Sequence, residues 1–321
     1  MRRREAVVAL ATLTLAARAQ AQVQGSRRPG QMIIPFAAGA SADGVARVVA
    51  AGLGPRLDRN FVADNRPGAG GTLGLSVLAR SPADGSVLGT GATGAVVINP
   101  HTPDGQSFEP LRQLAPVARI ADIPLVIIAG SGTGLKTLQD VVARSKSDRA
   151  GLSYGTTGTN SAQHLAMVTL AQATGANLIH VPYRGSAPAV TDVLAGTLPL
   201  ASVDLTSAQA HIQAGTVVPL AVTGPQRSKL APSVPTVAEA AVPGYSVTAW
   251  MGLFGPAGLP EAMREQISRA TSEVVADPET ERALLSVSAE PSFLDHADFA
   301  RFLADESARW KRVLGTMGKV E

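Results

Sequence analysis

Two segments of this 321-residue chain join a strand-like apolar run to a loop of small and hydroxyl residues and then to a helix start. The first reads Ile33-Ile34-Pro35-Phe36-Ala37-Ala38-Gly39-Ala40-Ser41-Ala42-Asp43, and the second reads Leu152-Ser153-Tyr154-Gly155-Thr156-Thr157-Gly158-Thr159-Asn160-Ser161. Neither loop contains lysine or arginine. An anion held there would need backbone N–H groups, the hydroxyls of Ser41, Thr156, Thr157 and Thr159, and the positive ends of helix dipoles. Loops at the carboxyl ends of strands are where open α/β sheets bind ligands. Either loop alone is also an ordinary strand-to-helix turn; two of the same plan, one per lobe, predict a shared cleft.

Other chemistry-bearing sets are incomplete. Gly89-Thr90-Gly91-Ala92-Thr93-Gly94 has the dinucleotide spacing, but Pro100 leaves little room for the helix that must follow. Leu114 stands where an acid should hold the ribose, about 20 residues on. Gly130-Ser131-Gly132-Thr133-Gly134-Leu135-Lys136-Thr137 approaches a phosphate loop, yet the Leu135 side chain obstructs the backbone cradle. His101, His164, His180, His211 and His296 share no metal-ligand spacing with one another or with acids. His164 reads as a helix residue near the cleft, not as a general base. Gly151-Leu152-Ser153-Tyr154-Gly155 has the GxSxG spacing, but Ser153 falls inside a strand candidate and not at a strand-to-helix turn, so it nominates no nucleophile. The absence of cysteine excludes disulfides, thiolate metal sites and cysteine nucleophiles together. No cofactor and no metal site is expected.

The elements that must position the two loops alternate along the chain. Strand candidates are Met32–Ile34, Phe61–Ala63, Ser86–Leu88, Leu125–Ala129, Leu152–Tyr154, Leu178–Val181, Leu198–Val203 and Val217–Val222. Helix candidates are Thr72–Arg80, Ser161–Thr174, Ala187–Ala195, Pro260–Ala276 and Asp298–Val313, with a further helix beginning at Asp43 and disturbed near its end by Gly54-Pro55. Strands separated by helix-length segments imply βαβ units and mainly parallel sheets. The length fits two domains of ordinary size. We expect one lobe from residues 23–125 together with 225–321, and a second from 126–224.

The charge belongs mostly to one end. Residues 1–22 combine Arg2, Arg3 and Arg4, a short apolar run from Ala6 to Ala17, and small-x-small patterns at Ala17-Arg18-Ala19 and Ala19-Gln20-Ala21. That is the pattern of a cleaved secretory signal, too short to span a bilayer. Its removal takes away four of the 28 basic residues and one of the 25 acidic ones, which balances the charge of the remainder. The excess that suggested a nucleic-acid partner therefore disappears.

At this point a resemblance becomes specific. Ile34-Pro35-Phe36 with Asp43 and Arg47, the run Asp64-Asn65-Arg66-Pro67-Gly68-Ala69-Gly70-Gly71, Ser81-Pro82-Ala83-Asp84-Gly85, and Val181-Pro182-Tyr183-Arg184-Gly185-Ser186-Ala187-Pro188 occur in order. Val234-Pro235-Thr236, Pro243-Gly244-Tyr245 and Trp250 follow. The chain resembles the periplasmic receptors of tripartite tricarboxylate transporters, the Bordetella uptake gene receptors, over residues 30–313. The resemblance implies a two-lobed α/β periplasmic-binding-protein fold of type II, with two linker strands and a ligand cleft between lobes. It implies capture of a small organic carboxylate for membrane permease subunits, in the periplasm, by a monomer. An exported sensor using the same closed cleft, and an exported hydrolase or isomerase, are the competing classes.

The expected ligand set is Phe36, Ala38, Gly39, Ala40, Ser41 and Asp43 from the first loop and Gly155, Thr156, Thr157, Gly158, Thr159, Asn160 and Ser161 from the second. Tyr183, Arg184, Gly185 and Asp204 are expected to face it from the second lobe, Asp204 towards an amine or hydroxyl because like charges repel. Asp43 serves equally as a cap that orders its loop. Ala40 and Asn160 stand where the family usually has glycine. Pro67–Gly71 reads as a tight strand-to-helix connection.

Overall fold

The computed structural model describes residues 29–39, 41–102 and 107–317. The secretory-signal segment and Ala40 lie outside the described residues.

The first lobe opens with β1 (Gly30–Ile34), α1 (Ser41–Arg56), β2 (Phe61–Asn65), α2 (Thr72–Ala79), β3 (Val87–Ala92), the short α3 (Pro110–Gln113) and β4 (Leu114–Ile123). After Pro124 the chain enters β5 (Leu125–Gly130), α4 (Leu138–Ser147), β6 (Leu152–Thr156), α5 (Ala162–Thr174) and β7 (Leu178–Pro182). There follow α6 (Ser186–Leu194), β8 (Leu200–Asp204), α7 (Leu205–Gln213) and β9 (Val217–Val222). The short α8 (Val237–Ala240) leads to β10 (Ala249–Pro256), α9 (Glu261–Ala276), α10 (Pro278–Ser286), β11 (Glu290–Leu294) and α11 (His296–Met317).

The strands form two sheets, ordered β11-β4-β10-β3-β1-β2 and β7-β6-β8-β5-β9. Both follow one plan. In each, a parallel βαβα core (β1 to β3, or β6 to β8) is continued by an antiparallel strand that has just crossed from the other lobe: β10 in the first sheet, β5 in the second. The sheets are therefore mixed, which corrects the mainly parallel expectation. The sequence does not mark β4, β10 or β11, and those strands take part in every antiparallel pair of the first sheet.

Alternation explains the layers. Along β1, Met32 and Ile34 face one apolar cluster with Val45, Val49 and Leu53 of α1, while Ile33 faces another with Leu75 and Leu78 of α2. Successive side chains of a strand point to opposite faces, so both faces are covered by helices. Each such buried aliphatic side chain contributes about 1.5–3 kcal/mol. The second cluster runs on into the other lobe through Trp250, Tyr245, Leu165, Met167 and Leu200. The carboxy-terminal helices α9, α10 and α11 pack on β4, β11 and α1 of the first lobe. The α1 helix continues through Gly54-Pro55 to Arg56, so the proline falls in its last turn without ending it early.

Candidate functional site

A cleft of about 520 Å³ opens between the carboxyl ends of the strands of both sheets. From the first lobe its wall takes Phe36 and Ser41 after β1, Pro67, Gly68, Gly70 and Gly71 after β2, and Ala92, Thr93 and Gly94 after β3. From the second it takes Thr157, Gly158, Thr159, Asn160, Ser161 and Gln163 after β6, Gly185 and Ser186 after β7, and Asp204 after β8. Ala249, Trp250 and Met251 of β10 form the floor near the crossing. Among the described residues of this wall Asp204 is the single ionisable side chain.

The first loop is built around Asp43. Its carboxylate accepts from the Gly39 N–H at 2.9 Å, from Arg47 Nε at 3.0 Å and from Asn65 Nδ2 at 2.8 Å. Asn65 Nδ2 also donates to the Phe36 carbonyl at 3.0 Å. Burial pushes the Asp43 carboxyl up, but the bonds from Arg47, Asn65 and Gly39 outweigh it and leave it below the usual range. The helix begins two residues before it, at Ser41, so Asp43 sits in the first turn, where a negative charge is favoured.

The second loop is held by neutral groups. Ser161 caps α5, its hydroxyl accepting from the His164 N–H at 3.1 Å and donating to the Gly158 carbonyl at 2.7 Å. Asn160 has φ 59°, a left-handed conformation that asparagine tolerates better than most residues, which explains how it stands in a glycine's place. Thr157 Oγ1 donates to Gln163 Oε1 at 3.0 Å, and Gln163 Nε2 donates to Asp204 Oδ1 at 2.6 Å. The Ser186 hydroxyl donates to Asp204 Oδ2 at 3.3 Å and accepts from the Asp204 N–H at 3.1 Å. Burial raises the Asp204 pKa, and the bonds from Gln163 and Ser186 oppose that shift. Asp204 thus ties the first residues of α5, α6 and α7 together on the second-lobe side of the cleft.

The structure brings Phe36, Ser41, Thr157, Gly158, Thr159, Asn160, Ser161, Gly185 and Asp204 to the cleft wall. It does not bring Ala38, Gly39, Asp43, Gly155, Thr156, Tyr183 or Arg184 there. Gly39 and Asp43 spend their polar groups on each other. Thr156 is fully buried, with its hydroxyl 2.7 Å from His180 Nε2 and donating to the Gly158 carbonyl. Gly155 is required by packing: a Cβ there would lie 2.6 Å from Leu198 Cδ2 and 3.1 Å from Tyr183 Cε2. The Tyr183 hydroxyl donates to Asp192 Oδ2 at 2.6 Å, and that bond pushes its pKa up to about 12. Arg184 is exposed.

Sequence reasoning missed Thr93, Gly94, Gln163, Ser186 and the β10 floor. The rejected Gly89–Gly94 pattern held the signal for two of them, since β3 runs through its glycines and delivers its last residues to the cleft. Pro67–Gly71 is both a connection and part of the wall. Gly68, Ala69, Gly70 and Gly71 all have positive φ, and a Cβ on Gly70 would sit 2.8 Å from Asn99 Nδ2. On a different face, Glu261, Glu265 and His296 gather their ligating atoms within 4.8 Å, but Glu261 already pairs with Arg264 and His296.

Paired lobes of this topology, meeting at a cleft lined by strand ends, define a solute-binding protein, and the solved periplasmic binding protein BugD shares the fold. The description "Tripartite tricarboxylate transporter family receptor" matches residues 45–319, and the chain belongs to that family. It is 30% identical to protein BugT of Bordetella pertussis over 310 residues, which is 96% of this chain and 95% of BugT. The R. palustris protein Rpa4515, solved with adipate, superposes with a TM-score of 0.80 at 29% identity, over 92% of this chain and 98% of that one. MatC from Rhodopseudomonas palustris, solved with bound malate, gives 0.73 at 26% identity, over 89% and 99%.

Proposed function

We propose that this chain is an exported receptor that captures a small organic carboxylate between its lobes and presents the closed form to membrane permease subunits. The observation that carries this reading is a cleft whose wall offers hydroxyls, amides and the amino-terminal turns of α1, α5 and α6 and, among the described residues, no cationic side chain. Such a wall suits a carboxylate held by many neutral donors and bridging water. The volume falls in the range of small-molecule sites. Adipate in one relative and malate in another support a carboxylate of this size.

The same reading makes the chain a binding protein without turnover and a monomer. Its lobes would meet at Pro124 and again between Val222 and Ala249, where the chain changes sheet. The amino-terminal secretory pattern supports the periplasm as its place of work, and no helix of the described residues is long and apolar enough to cross a membrane.

The test is calorimetry and thermal shift on refolded, ligand-free protein against adipate, malate, citrate, amino acids and aromatic acids, with mass spectrometry of whatever co-purifies. Saturable heat with at least one acid, recovered chemically unchanged, is expected. Silence across the panel, or conversion of the bound acid, would sink the reading.

A further inference from the structure

Behind the second-lobe loop lie two histidines that the binding reading leaves unused. His164, in the first turn of α5, and His180, at the centre of β7, stack with ring centroids 3.9 Å apart and planes 23° from parallel. Tyr154 of β6 packs against His180 at 5.3 Å. Both imidazoles reach the loop. The Asn160 N–H donates to His164 Nδ1 at 3.1 Å. His180 Nε2 lies 2.7 Å from Thr156 Oγ1, which accepts from the Gly158 N–H at 3.2 Å. Gly158 and Asn160 are the two positive-φ corners of the loop, at 138° and 59°, and each is tied to one ring. Neither histidine lines the cleft.

We propose that the stacked His164–His180 pair positions the Thr157–Ser161 loop for its ligand, and does so only while the His164 ring is neutral. The proposal rests on the binding role given above. His164 Nδ1 accepts a backbone N–H, so its lone pair must be free and its proton must sit on Nε2. Protonation at Nδ1 would set two N–H groups against each other and strip the Asn160 amide of its partner. Charge on both rings at stacking distance is repulsive as well. Burial holds both histidines down to about 4, and for His164 the neighbouring His180 adds to the shift. The titratable group facing them from β6 is Tyr154, which burial keeps neutral. Among the described residues no charged side chain contributes to either histidine's shift. The loop is therefore held at neutral pH and released in acid, so that affinity falls as pH drops and not as it rises.

The test follows the Asn160 backbone amide by NMR in the full, ligand-free chain, from neutral pH down through about 4. In the wild type the resonance should titrate and its protection from hydrogen exchange should fall across that range. In His164→Asn the side-chain oxygen takes the place of Nδ1 without titrating, and protection should persist in acid. In His164→Leu protection should drop by about tenfold already at neutral pH, the factor expected for one lost hydrogen bond. A wild-type amide that ignores acid, or full protection in a folded His164→Leu protein, would overturn the proposal. Calorimetry with adipate on the same proteins separates the two readings. Absence of binding by the wild type would count against adipate as a ligand, while the amide titration still decides the role of the histidines.

Discussion

The two loops that face each other across the cleft share one local plan and are fixed by opposite means. The first is held at the rim by charge: Asp43 gathers the Gly39 amide, Arg47 and Asn65, with the Arg47 side chain about half exposed. The second is held from below by neutral groups, with Thr156 and His164 buried beneath it and Ser161 capping α5. Loops that follow a strand and precede a helix in the same order can thus be secured by an ion pair with amide partners or by burial. The two means fail under different conditions.

Acid should separate the loops most sharply. His164 and His180 are held down to about 4, below their ordinary value of 6.5, so the unfolded chain binds more protons between those limits. Stability should therefore fall by several kcal/mol as pH drops from about 6.5 to about 4, read as the urea midpoint against pH. Asp43, with its pKa lowered, should begin to withdraw its contribution only below the ordinary aspartate range, about 3.9. One flat profile across the upper window would erase the distinction. Next in size, Asp43→Ala leaves Arg47, Asn65 and the Gly39 amide without their acceptor. It should cost about 3 kcal/mol in denaturant unfolding, since hydrogen bonds to charged groups are worth about 1.5–3 kcal/mol each and do not add fully. A loss under about 1 kcal/mol would show that the rim network is dispensable.

Thr156→Val keeps the shape and deletes the hydroxyl between His180 and Gly158. The expected loss is about 1–2 kcal/mol of stability with a parallel loss of affinity for the bound acid, measured by melting and calorimetry. Unchanged affinity beside a lowered melting temperature would confine Thr156 to packing. The smallest effect belongs to Arg184→Ala. The side chain is exposed and outside the cleft, so stability and affinity should both stay within about 0.5 kcal/mol. A large loss of affinity there would bring the arginine back to the ligand.

The second loop was legible because every signal in it is local. Ser161 before an apolar helix marks a cap, and the glycines mark turns. The roles of Thr156 and Asp43 were less legible. A hydroxyl or carboxylate in a small-residue loop looks the same in sequence whether it meets a ligand or a neighbouring amide, and His180 and Asn65 arrive from other strands to decide it. Tyr183 and Arg184 misled for the same reason: Asp192, nine residues on, claims the tyrosine hydroxyl. The β10 floor was invisible because its residues reach the cleft only by returning from the second lobe. The continuous β-branched apolar run that marked β1 and β5 is also absent from β10, which reads Ala249-Trp250-Met251-Gly252-Leu253-Phe254-Gly255-Pro256 and breaks its apolar residues with glycines.

The position of β10 also bears on the order in which the molecule can be completed. The smaller sheet has all its strands once the chain has been made as far as Val222, but in the larger sheet β3 and β4 have no strand between them until residues 249–256 arrive. Among the described residues β4 pairs only with strands that follow it, β10 and β11. A chain growing from its amino end can therefore close the second lobe first, while the first lobe waits with β4 unpaired and one edge of β3 bare. Pairing over such long separations is slow to form, and bare edges are templates for other chains. For a protein read as leaving the cytoplasm, that delay keeps the larger lobe unfinished, and so threadable, until most of the chain has been synthesised. A version cut short before Ala249 should yield a folded small lobe attached to a half-sheet that aggregates.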